Sequence, residues 1–322
     1  MNTKLHIRII TLLCAAIPLS ACENIALMMT PAKKAQTSHT ALAEKARNTF
    51  WDTLHKGNYN GLSETTKFLT AAYLENPNDP ELAAFLGFSH IWRITERQRL
   101  TNAPSTIVDE MILSQKYFTD AVELNPSDPR YQGFLGDAIT ASGTIFHDQR
   151  QQVRGYFKLK HAISMWPEFN YFTAGYIMSS LDYNSEQFKE GLDWQWQTMD
   201  LCAETRVSRQ NPDYSSFMHL ETTHGRKRVC WNSWIAPHNF EGFFMNMGDM
   251  LVKQGDWRTA VKIYKNAKLS KTYSSWPYRD MLESRIKNAE HNVANFRNAA
   301  LRGRDKVIMF NSGYGCAACH QK

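Results

Sequence analysis

The sequence predicts an all-α chain, a solenoid of stacked helical hairpins interrupted by one long insertion and ending in a short tail. An internal repeat, the punctuation inside it and the composition carry that expectation. Ala72-Tyr73-Leu74-Glu75-Asn76-Pro77-Asn78-Asp79-Pro80, with Leu86-Gly87 after it, recurs 49 residues later as Ala121-Val122-Glu123-Leu124-Asn125-Pro126-Ser127-Asp128-Pro129, with Leu135-Gly136. A weaker third copy keeps Ala162 five residues before Pro167 and Gly175 eight after it. Each copy reads as a helix that stops near a proline and restarts with Pro in the first turn, and in the first two copies Asp is the N-cap. Small Ala and Gly residues let paired helices approach, and stacking the pairs buries a continuous core. With 322 residues, 43% of them apolar and 12% aromatic, the chain has the material for such a core.

The punctuation resembles the tetratricopeptide repeat family, most closely over residues 244 to 267. Phe244 stands where that family has Trp and Met247 where it has Leu, and Gly248, Gly255, Trp257, Ala260, Tyr264 and Ala267 follow at the family's spacing. Thr272 replaces the usual proline. The earlier copies exceed the family's period because long stretches, such as Thr95 to Asp109, separate their helices. The resemblance implies a helical-hairpin solenoid over residues 49–300 that binds a protein partner through its repeat surface. An insertion over about 182–240 holds Cys202, Cys230, Trp194, Trp196, Trp231, Trp234 and three histidines. Its tryptophans could line a partner or cofactor site or simply fill a core.

At the N-terminus, Lys4 and Arg8 precede an apolar run that ends in Leu19-Ser20-Ala21-Cys22, the layout of a signal peptide over residues 1–21. The run is shorter than the roughly 20 residues a membrane span needs. The last four residues resemble a bacterial lipobox, which implies an acylated Cys22 as the first mature residue. Two or three acyl chains anchor stably where one is marginal. Glu23, rather than Asp, follows the cysteine, and this resembles an outer-membrane address with the body in the periplasm. Residues 22–48, rich in Ala, Thr, Ser and Lys, read as a flexible tether.

Cleavage would remove Lys4 and Arg8 and no acidic residue, taking the formal charge from +6 to +4. So small a surplus, with no basic stripe noted in the sequence, gives no reason to expect nucleic-acid binding. Of six cysteines, Cys14 leaves with the signal peptide, Cys22 takes lipid, and Cys316 and Cys319 belong to a terminal motif. Cys202 and Cys230 remain. In an oxidising compartment they form a disulfide most simply, and two buried free thiols are the other reading.

That terminal motif is Cys316-Ala317-Ala318-Cys319-His320, the attachment signature of c-type haem. Two thiols reach the vinyl groups on one porphyrin edge while the adjacent histidine ligates the iron. Cys316 and Cys319 would thus form thioethers and His320 would be the proximal ligand of one covalent haem c. A redox disulfide and a Cys/Cys/His metal half-site are the other readings. Residues 305–315 resemble the lead-in of class I cytochromes c, but only Gln321 and Lys322 follow the motif, so the resemblance supplies no distal methionine. Met218, His219, His224, Met245 and Met247 are candidates for that position, and His238, beside Pro237, is the first to test; each could equally cap or pack. Residues 301–322 are then a haem-bearing tail. The function expected is electron transfer with a docked partner; the alternative is an envelope scaffold or assembly factor in which the motif is structural or a redox disulfide. Paired carboxylates, a nucleophile elbow or a phosphate loop in convincing context are not evident, so the sequence offers little support for an enzyme.

Overall fold

The computed structural model describes residues 24–95, 102, 105–231 and 240–298. Cys22, His238, Trp234 and the terminal motif of Cys316, Cys319 and His320 lie outside them. The chain divides into two units, Met1–Ala35 and Gln36–Lys322. In the first, the described residues form a helical turn over 24–29 that exposes Ile25, Leu27, Met28 and Met29.

The second unit is all-α among its described residues, with α1 (Ala41–His55), α2 (Leu62–Glu75), α3 (Pro80–Thr95), α4 (Ile107–Leu124), α5 (Pro129–Ile145) and α6 (Gln149–Met165). It continues with α7 (Pro167–Met178), α8 (Glu186–Ala203), α9 (Phe240–Gln254), α10 (Trp257–Asn266), α11 (Arg279–Lys287) and α12 (Ala289–Arg297). Among the described residues no helix is long and apolar enough to cross a membrane.

The repeated residues act where the helices stop and restart. The N–H groups of Asn76, Asn125 and Trp166 donate to the carbonyls of Ala72, Ala121 and Ala162 and close α2, α4 and α6. Asp79 accepts from the N–H groups of Glu81 and Leu82 at 3.0 and 3.1 Å, and Asp128 from that of Arg130 at 2.9 Å, so α3 and α5 restart on carboxylate caps. Packing then decides the pairing. Helix α3 lies most extensively along α4, α5 along α6, and α7 along α8, so the proline junctions fall between hairpins and not within them. Two glycines permit the close approach: a Cβ at Gly136 would stand 2.9 Å from the backbone nitrogen of Leu159, and one at Gly248 would stand 2.2 Å from the Tyr264 ring.

Two expected boundaries move. The tether does not reach residue 48, because Thr40 caps α1 and the body holds the chain from Gln36 onward. The N–H of Gln36 donates to Asn78, that of Ser38 donates to Asp79 at 2.7 Å, and Arg47 binds both Asp79 and the Ser38 carbonyl. Nor is the stretch from 182 all insertion. Ser185 caps α8, and Gly175 faces Gly191 where α7 and α8 cross, so that helix pairs with α7 as a fourth hairpin.

Two large cores result. One is built from α1 to α5 around Phe50, Leu54, Leu69, Leu86, Trp92 and Phe118. The other joins α7–α12 with the segment after α8, around Phe188, Trp231, Phe244, Met247 and Tyr264. In the second, Asp249 accepts from Arg285 at 2.6 Å and from the Tyr264 hydroxyl at 2.7 Å, which ties α9, α10 and α11 together through buried polar groups.

Candidate partner-binding groove

Four alternate helices, the first of each successive hairpin, present one aromatic row. Phe50 of α1 stacks on Phe85 of α3 with centroids 4.1 Å apart. Phe88 meets Phe134 of α5 edge-on at 5.2 Å, Phe134 meets Phe169 of α7 at 5.9 Å, and Phe169 stacks on Trp166 at 5.3 Å. The row follows from sequence register, since Phe85 and Phe134 each fall five residues after the proline that opens their helix. Between these rings lies a half-enclosed apolar cavity of about 60 Å³, bordered also by Trp51, Leu54 and Ala84. Trp51 and Phe134 are its more open rings.

Charged groups at the rim are already engaged. Glu81 accepts from Arg47 at 2.5 Å, and Asp128 receives two hydrogen bonds from Arg130, at 3.1 and 2.6 Å. Burial, reinforced by the Asp128 charge, pushes the Tyr131 phenol well above its ordinary value, so it stays a neutral donor. Such a surface offers mainly apolar contact. Farther along α5 the Asp137 carboxyl is buried, one oxygen has no hydrogen-bond partner, and burial alone raises its pKa well above the carboxylate range.

Beyond Trp166 the row meets the segment after α8. Cys202 at the end of α8 is joined to Cys230, with Cα atoms 5.7 Å apart. The enclosed chain is held at both ends. Arg209 binds Asp200 through two contacts of 2.7 Å, the N–H of Tyr214 donates to Asn266 at 3.0 Å, and Asn266 donates to the Pro212 carbonyl at 2.6 Å. At the other end Trp166 donates to the Arg226 carbonyl at 3.2 Å, Val229 is buried against Trp166 and Phe169, and the Arg228 guanidinium lies 4.6 Å from the Trp166 ring. Burial, then the charge of Arg130, lowers the Arg228 pKa.

These positions sort the residues singled out in the sequence. Met245 and Met247 are fully buried in α9 and fill the core, as do Trp194, Trp196 and Trp231, so packing fixes all five. Met218 is half-buried, and His219 and His224 are exposed on the disulfide-held segment. Among the described residues no cluster of three His, Cys, Asp or Glu side chains could hold a metal ion. The cavity-lining aromatics were not singled out by sequence reasoning. Their recurrence after the helix-opening prolines was the available signal. No family model matches the chain, and no curated protein matches its sequence.

Proposed function

We propose that the chain is an envelope lipoprotein, acylated at Cys22 with an outer-membrane address and its body in the periplasm. On this reading the tetratricopeptide-like solenoid holds a protein partner in the aromatic groove, and one covalent haem c on the tail exchanges electrons with that partner. The ring row across α1, α3, α5 and α7 carries the partner-binding half, because it leaves an apolar cavity half open on the surface. Gly248 seated under the Tyr264 ring, and hairpins that alternate with proline junctions, support the repeat reading. The link between Cys202 and Cys230 supports the haem reading, since it consumes those two thiols and leaves Cys316 and Cys319 for the cofactor. Cys316 and Cys319 would hold the porphyrin, His320 would ligate the iron, and His238 is the candidate distal ligand. Bound there, haem supplies one-electron redox chemistry.

The test is a pyridine haemochrome spectrum of the full chain, expressed with a c-type haem maturation system. A spectrum of the two-thioether type is expected, and the Cys316→Ser/Cys319→Ser protein should lose covalently bound haem on a denaturing gel. A full chain that matures without haem would leave the groove acting alone, as in a scaffold or assembly factor. Intact-mass measurement of the mature N-terminus reads the acyl chains on Cys22 separately.

A further inference from the structure

Helix α6 differs from its neighbours in charge. It carries Arg150, Arg154, Lys158 and Lys160 and no acidic residue. Lys160 is engaged by Glu190 of α8 at 3.2 Å and marks one border of the helix's outer face. No ion pair engages Arg150, Arg154 or Lys158 among the described residues. Arg150, Arg154, Lys158 and His161 recur at spacings of three and four, so they share one face. On that face Val153 and Phe157 are 57% and 65% exposed, and Phe146, just before the helix, is 45% exposed. The opposite side of the helix packs on α5 through Gly155 and Leu159. Exposed large apolar side chains interleaved with uncompensated cations along one helix suit an anionic surface with an apolar interior.

We propose that the outer face of α6 docks on an anionic phospholipid surface, with Phe157, Val153 and Phe146 entering the headgroup boundary and Arg150, Arg154 and Lys158 meeting phosphates. Tether length favours a membrane over a diffusing acidic protein, and this step rests on the lipobox reading. The body holds the chain from Gln36, so 13 residues lie between it and Cys22. With 24–29 helical, that stretch spans at most about 40 Å. An acylated chain therefore keeps α6 near a bilayer at high effective concentration, and even weak contacts then orient the body.

Vesicle flotation tests this without the lipid. The Cys22→Ser chain is compared with the same chain carrying R150Q/R154Q/K158Q, on phosphatidylglycerol-containing and on pure phosphatidylcholine vesicles. Both proteins keep the same N-terminus, so its apolar run cancels, and the substitutions, at exposed Arg150 and Arg154 and half-buried Lys158, should leave helicity by circular dichroism unchanged. The triple variant is expected to partition on the order of 100-fold less onto the anionic vesicles, with Phe157→Ser lowering it by about tenfold. On neutral vesicles the two chains should not differ. Equal partitioning of parent and triple variant onto the anionic vesicles would overturn the proposal. So would retention of the parent by immobilised polyglutamate with no charge-dependent flotation, which would assign the face to an acidic polypeptide. Because the lipid is absent throughout, failure here is distinguishable from failure of Cys22 acylation.

Discussion

Trp51 and Phe134, in the first and third hairpins, border a half-open cavity and are partly exposed, whereas Phe240 and Phe244 of α9, in the fifth, lie under the chain's own covering. Tyr214 meets Phe244 at 5.4 Å and Trp231 stacks on Phe240 at 5.7 Å, both from the disulfide-held segment. Rings borne on the first helix of a hairpin are thus left partly open in one half and covered in the other. The difference teaches what the open half lacks: a segment with aromatic side chains, fixed at its ends by polar contacts like those of Asn266 and Asp200. Where that segment stops, Val229 packs on Trp166 and Phe169, the last two rings of the open row.

The largest expected break in this contrast comes from removing the clamp. Cys202 and Cys230 close a loop of 28 residues, and Cys202→Ser/Cys230→Ser should cost on the order of 3 kcal/mol, read by urea denaturation. Hydrogen exchange localises the loss. Amides of 204–231 should lose protection while those of α1 to α4, whose core lies elsewhere, keep it. Unchanged protection over 204–231 would mean that Tyr214 and Trp231 hold the cover by packing alone.

How much of this was legible beforehand differs between the halves for the same physical reason. Asp79 and Asp128 announce helix starts, and the prolines near them announce stops, because capping and the missing N–H of proline are local chemistry. Gly136 and Gly248 signal close approach, though not of which partner. Pairing is non-local, so the sequence did not show that proline junctions separate hairpins. Ser185 is a legible cap for α8, yet the gap between the third repeat copy and the match at 244–267 reads as one insertion and hides that helix. Met245 and Met247 read as core sooner than as ligands, Met247 because it holds a repeat packing position, and neighbouring helices bury both. For the candidate site, Cys202 and Cys230 were reachable by counting thiols, whereas the ring row needs α1, α3, α5 and α7 brought side by side.

A smaller effect sharpens the comparison within the open half. Asp137 on α5 is buried and its carboxyl pKa is raised well above the ordinary 3.8. Between 3.8 and that raised value the folded protein keeps a proton that the unfolded chain has released, so stability falls as pH rises, by about 1.4 kcal/mol per unit. Asp137→Asn carries no charge to suppress. It should be the more stable protein at pH 7, with the gap closing as pH falls towards 4. Parallel stability curves for the two proteins would show that solvent or a partner group already compensates Asp137.

The smallest change in stability should give the sharpest functional contrast. Ala84 lines the open cavity between Phe50 and Phe88, and Ala84→Leu pushes three more carbons into the space without touching either core's polar groups. Filling such a space should alter stability by no more than about 1 kcal/mol. It should nonetheless lower the fluorescence of 1-anilinonaphthalene-8-sulfonate, a dye that reports accessible apolar surface. In the Cys202→Ser/Cys230→Ser protein the dye signal should instead rise, because Phe240 and Phe244 lose their cover, and adding Ala84→Leu there should remove only the part due to the open half. Dye binding that ignores Ala84→Leu in both backgrounds would place the accessible apolar surface elsewhere, and the two halves would then differ in appearance without differing in what they can bind.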